Sequence, residues 1–423
     1  MAGSAEKYLW RGYAMIPRPD LLDARSPKGI EVFQLTTEPE VSGCHVYMEA
    51  QVFTPDSRRL ILHRSAHPHG SDQHDPRHRY LVCDLEDNCS LTPITSELGA
   101  TGPSLSPDGS TLYYFVNETE VGGGRLTLKR VKLDGAGRET VLVVDAPIPG
   151  TDYRPSHIYP LSTISSDGAR IATGCFLGDG KTEGAPFGML VFDLERASVE
   201  LALSGPTWRN MHPQYCRSSD LYAGRDIMIQ ENHGCTYDAA GNRGETTSGL
   251  GVDIHLVHDD GANFRNFPWG RDGNEFCQGH QSWIGASERG LCGTGCRQPA
   301  ERQLISALPA PHAEHSGINT TGAIRADLSR AFDTPQFCHF ATDIAGARLI
   351  TDHFLRDELW EIYFAKLPDE GISEPFTDFT YLLTPRTGAR VHSHPFLSPD
   401  GKRGFFNSDE SGILQAYIII LNF

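Results

Sequence analysis

The sequence predicts an all-β fold, a single seven-bladed β-propeller covering residues 1–423. Two observations lead there: a turn followed by an apolar strand recurs along the whole chain, and no long segment shows the periodicity of an amphipathic helix.

The repeat reads TPDSRRLIL from Thr54, SPDGSTLYYF from Ser106, SSDGARIATG from Ser165, SSDLYAGRDIMI from Ser218, ATDIAGARLITD from Ala341 and SPDGKRGFFNS from Ser398. The turn aspartates Asp56, Asp108, Asp167, Asp220, Asp343 and Asp400 are separated by 52, 59, 53, 123 and 57 residues. The long interval holds a degenerate copy, GASERGLCGTG from Gly285, which brings the count to seven. In the turn, Pro presets φ, Asp caps and Gly accepts positive φ. The strands that follow alternate or run apolar, and a period of about 50–60 residues leaves room for four short strands, the content of one blade. The closing run GILQAYIIILNF is a strand, and GIEVFQLTT near the start is expected to complete its sheet. No G-x-S-x-G nucleophile elbow occurs, which argues against a propeller-capped peptidase.

Composition narrows the partners. A formal charge of −17 argues against a nucleic-acid backbone as the main partner, since that affinity comes from clustered Lys and Arg. An acidic substrate would have to be drawn in by a local cationic site working against the overall field. The ten cysteines are mostly scattered, with only Cys292 and Cys296 at a metal-like interval and no second pair to complete a zinc site. The opening MAGSAEKYLWRG has no apolar signal core and no long apolar run follows, so reduced thiols, no membrane association and a cytoplasmic location are expected.

Several histidines stand just before the repeat turn, where a blade's innermost strand should run beside the central channel. They are His45 in CHVYMEAQVF, His212 in MHPQYC, His280 in QGHQSW, His339 in QFCHFATD, and His392 with His394 in RVHSHPFLSPD. Residues two apart on a strand share a face, so His392 and His394 should point together, with His339 of the preceding blade as the natural third partner. Neutral imidazole is the commonest metal ligand, and three of them leave coordination positions open. A further group, His63, His67, His69, His74 and His78, is expected in a solvated loop.

In order along the chain, CHVYMEAQVFTPD, MHPQYC, GHQSW, the CH before a strand and VHSHPFLSPDGK resemble the successive blade motifs of the oligogalacturonate lyases, polysaccharide lyase family 22. The resemblance implies that His280 is the catalytic base and that His339, His392 and His394 bind a divalent cation, manganese by analogy. It also implies an acidic, uronate-containing oligosaccharide as substrate; His45 and His212 are candidate contacts by position, and Arg209 or Arg217 could supply positive charge to it. Two departures stand out. The family's fourth ligand, a glutamine three residues before the H-x-H pair, is Ala389 here, with Gln336 as a substitute. The family's substrate arginine corresponds to Asp253.

β-Elimination at a uronate removes a weakly acidic proton beside a carboxylate. A cation can neutralise that carboxylate while a separate histidine takes the proton. The alternatives are a lyase for another uronate glycan, a metal-dependent hydrolase, or a non-catalytic protein-binding propeller whose histidines are structural.

Overall fold

The computed structural model describes residues 15–67, 70–242, 244–245, 251–267, 269, 275–296, 303–309, 326–327, 336–355, 359–367, 381–388 and 392–422. Apart from two short 3-10 turns at Pro19–Leu21 and Ala223–Arg225, the regular elements of these residues are strands. The main sheets are antiparallel and built largely by strands that follow one another in the chain, and together they form a β-propeller.

The repeat turn works as its composition suggests. In four of the copies the leading Ser or Thr hydroxyl donates to the turn aspartate: Thr54 to Asp56, Ser106 to Asp108, Ser165 to Asp167 and Ser398 to Asp400, at 2.5–2.6 Å. The same aspartate oxygen accepts the backbone N–H of Arg58, Ser110, Ala169 and Lys402. The hydroxyl oxygen also accepts the N–H of Arg59, Thr111, Arg170 and Arg403, so one side-chain pair closes the turn from both directions. Gly109 and Gly401 follow at φ 71° and 65°, the left-handed conformation that the turn requires.

The ring closes between the two ends of the chain. Ile30–Gln34 pairs antiparallel with Gln415–Leu421, from Ile30 opposite Leu421 to Gln34 opposite Tyr417. That is the completion expected for GIEVFQLTT. Six sheets of four or more strands are formed by the described residues, not the seven separate sheets expected. The reason is local: one sheet has eight strands, because Val252 in Val252–His258 pairs with Cys277 in Glu275–Trp283. That pair joins two groups of strands, Gln214 to Asn266 and Glu275 to Asp327.

Neighbouring sheets are sealed by large apolar groups. Phe115 meets Phe192 at a ring distance of 5.0 Å. Phe187 and Met189 pack with Ile227, Ile229 and Val257, while Met228 and Ile254 pack with Cys277 and Trp283. Phe405, Tyr417 and Ile418 share one cluster with Leu60, Ile61, Ile350 and Phe364. Truncating a fully buried phenylalanine such as Phe405 to alanine should cost about 3–5 kcal/mol.

The histidine-rich segment is less solvated than expected. His63 is buried, with Nε2 donating to the His45 carbonyl at 3.0 Å, and His78 is buried between the carbonyls of Arg64 and Ala100. His69 and Ala389 lie outside the described residues. No helix among the described residues is long and apolar enough to cross a membrane.

Candidate metal centre and polar channel

His339 lies on the inner strand Phe337–Thr342 and is fully buried. Its neighbour in the hairpin, Arg348–Leu355, brings Asp352 alongside. Asp352 Oδ2 accepts from His339 Nδ1 at 2.8 Å, and Oδ1 accepts from the His339 backbone N–H, also at 2.8 Å. With Nδ1 donating to Asp352, Nε2 is the nitrogen left to bind a metal once its own proton is displaced. That nitrogen is 3.3 Å from His392 Nδ1.

His392 and His394 do converge on His339, with ring distances of 5.1 and 4.4 Å, but not from a strand as expected. They stand in the irregular segment preceding Phe396–Leu397, and His394 has φ 42°. Between them Ser393 donates from Oγ to Asp352 Oδ2 at 2.5 Å, so one carboxylate holds both the first ligand and the loop carrying the other two. Ligand atoms of His339, His392 and His394 all lie within 4.8 Å of one another. Trp360, 6.0 Å from His339 and 5.8 Å from His392, lines one side.

A second group shares His339: His280, Cys338 and His339 also bring ligand atoms within 4.8 Å of one another. Cys338 Sγ is 3.7 Å from both His280 Nδ1 and His339 Nε2. His280 lies 4.4 Å from His339 between ring centres, which leaves no room for a sugar ring between them. The residue to which the resemblance gives the role of base thus stands directly against a candidate ligand. The cause is a kink in its strand, where Gly279 and His280 have φ 85° and 55° and the pairing register shifts. Gln336 is three residues before His339, an odd spacing along the strand, and its carbonyl accepts from the Phe354 N–H.

The donor set fits a divalent transition metal. Three imidazoles with one tautomer fixed by a buried carboxylate make the ligand and outer-sphere pair typical of such sites, and Cys338 adds a softer donor at the edge. Burial alone would push the His339 imidazole down, but the Asp352 carboxylate, followed by Cys338, overrides it and raises the pKa to about 10. His392 is shifted the other way, lowered by burial and by the like charge of His339. In the metal-free state the centre thus holds its proton on His339.

Next to this cluster runs a polar chain. Tyr47 bridges the two, its ring 4.6 Å from His394 and 5.3 Å from His212. His212, at φ 48°, donates from Nδ1 to Glu49 Oε2 at 2.9 Å, and its Nε2 is 3.1 Å from the Tyr159 hydroxyl. Burial pushes the Glu49 carboxyl above its ordinary range, while His212 draws it back. Tyr159 lines an open cavity of about 230 Å³ together with Arg209 and Asn210. Arg209 is held there by the carbonyls of Thr236 and Glu245.

The other predicted contacts fall elsewhere. His45 is 1% exposed, packed edge-on against Phe396 and Phe405, with Nε2 donating to the Tyr417 carbonyl. Burial lowers its pKa to about 3, as suits a neutral ring inside the wall. Arg217 lies farther along the channel, in a cavity described below. Asp253 accepts from His233 at 3.0 Å, opposite Glu231 on the paired strand, so negative charge stands where the resemblance implies an arginine. Asp352, Cys338, Tyr47, Glu49 and Tyr159 were not singled out from the sequence.

No family model matches the chain, and no curated protein matches it in sequence. Solved structures do. An oligogalacturonate lyase from Vibrio parahaemolyticus superposes with a TM-score of 0.67 at 16% identity, over 96% of this chain and 97% of that one. An oligogalacturonate lyase in complex with manganese gives 0.66 at 18% identity, over 97% and 98%. A prolyl endopeptidase gives 0.54 at 11% identity, over 92% of this chain and 51% of that one. At these identities the likeness is one of fold.

Proposed function

We propose that this protein is a metal-dependent lyase that cleaves a uronate-containing oligosaccharide by β-elimination, in the manner of an oligogalacturonate lyase. The observation that carries the reading is the convergence of His339, His392 and His394, with Asp352 behind His339, in a propeller similar to that of a lyase crystallised with manganese. A divalent cation, manganese by that analogy, would be held by these three imidazoles. When bound it would supply Lewis acidity to neutralise the substrate carboxylate. It also answers the electrostatic difficulty of an acidic chain, because the positive charge is local and buried.

The chain's own residues would then divide the work. His280 takes the proton from C5 of the uronate, the C5–H electron pair becomes the C4–C5 double bond, and the C4–O bond breaks towards the departing sugar. Because His280 crowds His339, the substrate lies across the cluster and not between its members. The departing oxygen needs a proton, and Tyr159 is the donor this reading assigns. The Tyr159 oxygen then regains a proton from water, and His212, held at Nδ1 by Glu49, keeps Nε2 against the Tyr159 hydroxyl and so positions it. Proton transfer by placed groups typically contributes about 10²–10⁴-fold.

The test is incubation of the manganese-loaded protein with saturated oligogalacturonides and with glucuronate-containing oligosaccharides, read by the ultraviolet absorbance of the unsaturated product. Product from either substrate class, abolished by a chelator and restored by the metal, is the expected result. Reducing ends released without unsaturation would instead identify a hydrolase.

A further inference from the structure

The segments that carry the histidine cluster continue into a second cavity, at the side of the repeat turns. Met48 and Phe53 follow Tyr47 into it, Trp283 follows His280, Thr342 follows His339 and Phe396 follows His394. Cluster and cavity therefore use successive stretches of the same inner segments. The cavity has a volume of about 340 Å³, within the range of small-molecule sites. Its rim is made by the repeat turns themselves, through Pro55, Pro107, Ser166 and Pro399.

The lining has one ionisable side chain, Arg217. No Asp or Glu is among the lining residues, and among the described residues Arg217 has neither an ion pair nor a hydrogen bond. Burial shifts its pKa downwards, the signature of a guanidinium without a counter-charge. Other partly buried arginines have carboxylate partners: Arg170 and Arg225 share Asp259, and Arg265 meets Asp226. Arg217 is half-buried, and its guanidinium stands among Val52, Phe53, Leu105, Ile164 and Trp283 with no counter-charge, so an anion entering the cavity finds an unshared partner. The hydroxyls of Ser106, Ser282 and Thr342 on the same wall already donate, to Asp108 and to the Trp283 carbonyl, so Arg217 is the group that would hold such an anion.

We propose that this cavity is a second ligand site that takes a small organic monocarboxylate with an aromatic body, its carboxylate on Arg217 and its ring against Phe53, Trp283 and Phe396. The fork of Arg217 matches a carboxylate with two parallel hydrogen bonds, and the aromatic wall supplies edge and face contacts to the ring. The site is independent of the metal centre and of the lyase reading.

Hydrocinnamate is a suitable probe, with hydrocinnamamide as its neutral counterpart, both measured by calorimetry on the full chain. The wild-type protein should bind the acid at least tenfold more tightly than the amide. R217M should lose that preference while binding the amide unchanged, and R217K should retain part of it. The metal-free H392A/H394A double variant should bind the acid like wild type, which separates this site from a carboxylate held at the metal centre. Equal affinity for acid and amide, no binding of either, or loss of binding in the double variant would overturn the proposal. R217M puts an apolar side chain of similar length in an apolar cavity and should fold. Its unchanged amide affinity serves as the check.

Discussion

Asp352 Oδ2 accepts the Nδ1 proton of His339 at 2.8 Å, and both side chains are fully buried. The carboxylate therefore does three things at once: it fixes the His339 tautomer, directs Nε2 to the other two imidazoles, and anchors the loop between them through Ser393. Asp352→Asn keeps the volume but removes the charge that holds Nδ1 as donor. Manganese affinity, measured by titration of the metal-free protein, should fall about 10–100-fold. An unchanged affinity would mean that the pair is only structural.

The same pair makes metal binding depend on pH. His339 has a folded-state pKa of about 10, raised from an unfolded value near 6.5, so the metal-free protein carries an extra proton there at neutral pH. A raised pKa stabilises the folded state fully below the unfolded value, and that stabilisation disappears as pH rises through the folded value. The metal-free protein should thus lose thermal stability between about pH 6.5 and pH 10 through this group. Metal uptake displaces the proton, so apparent manganese affinity should rise across the same window, with proton release visible in calorimetry in buffers of different ionisation enthalpy. A flat profile would place the proton elsewhere.

Removing the paired histidines tests the ligand set. The double variant H392A/H394A takes away two of three imidazoles and should lose bound manganese and product formation together, by metal analysis and absorbance assay respectively. Full metal occupancy in that variant would transfer the centre to His280, Cys338 and His339, which also meet.

His280 is the residue where sequence and structure part most usefully. Its place in GHQSW on an inner strand was legible, as were the three ligand candidates, because inner-strand residues of successive blades must meet near the axis. What was not legible is the backbone that aims them: His212, His280 and His394 all have positive φ, which period-two reasoning about strands cannot anticipate. Asp352 was invisible for another reason, since it reaches His339 only through a hairpin register that pairs Phe337 with His353. The turn chemistry, in contrast, was local and held in four of the five repeats where Ser or Thr leads the aspartate; at Ser218 the hydroxyl instead accepts from the Asp220 N–H. The pairing of Val252 with Cys277, which merges two strand groups into one sheet, is long-range and left no trace in composition. His45 shows the limit of position alone, for its strand is inner but its ring turns into the wall.

Because His280 lies so close to Cys338 and His339, the variant H280A is decisive on its own account. As a base it should cut turnover at least about a hundredfold while metal content and melting temperature stay near wild type. Loss of metal in H280A would show that it is a ligand, and normal turnover would pass the role of base to His212.

The last expectation concerns how the leaving oxygen is protonated. If Tyr159 supplies that proton, Tyr159→Phe should reduce turnover on an ordinary oligosaccharide by about 10²–10³-fold, with a small change in KM. The loss should shrink when the departing group is an activated phenol, because a phenolate of low basicity leaves without a proton. Glu49→Gln should show the same pattern more weakly, since it alters the ring that serves Tyr159 and not the donor itself. A structural role for the chain predicts something else: both variants would lose activity equally on good and poor leaving groups. Kinetics on a paired set of substrates, one with a sugar and one with an activated aryl group beyond the scissile bond, separates the two. If the aryl substrate gives no rescue in Y159F, the proton must come from water or from His280, and the Glu49–His212–Tyr159 chain serves only to hold the channel wall.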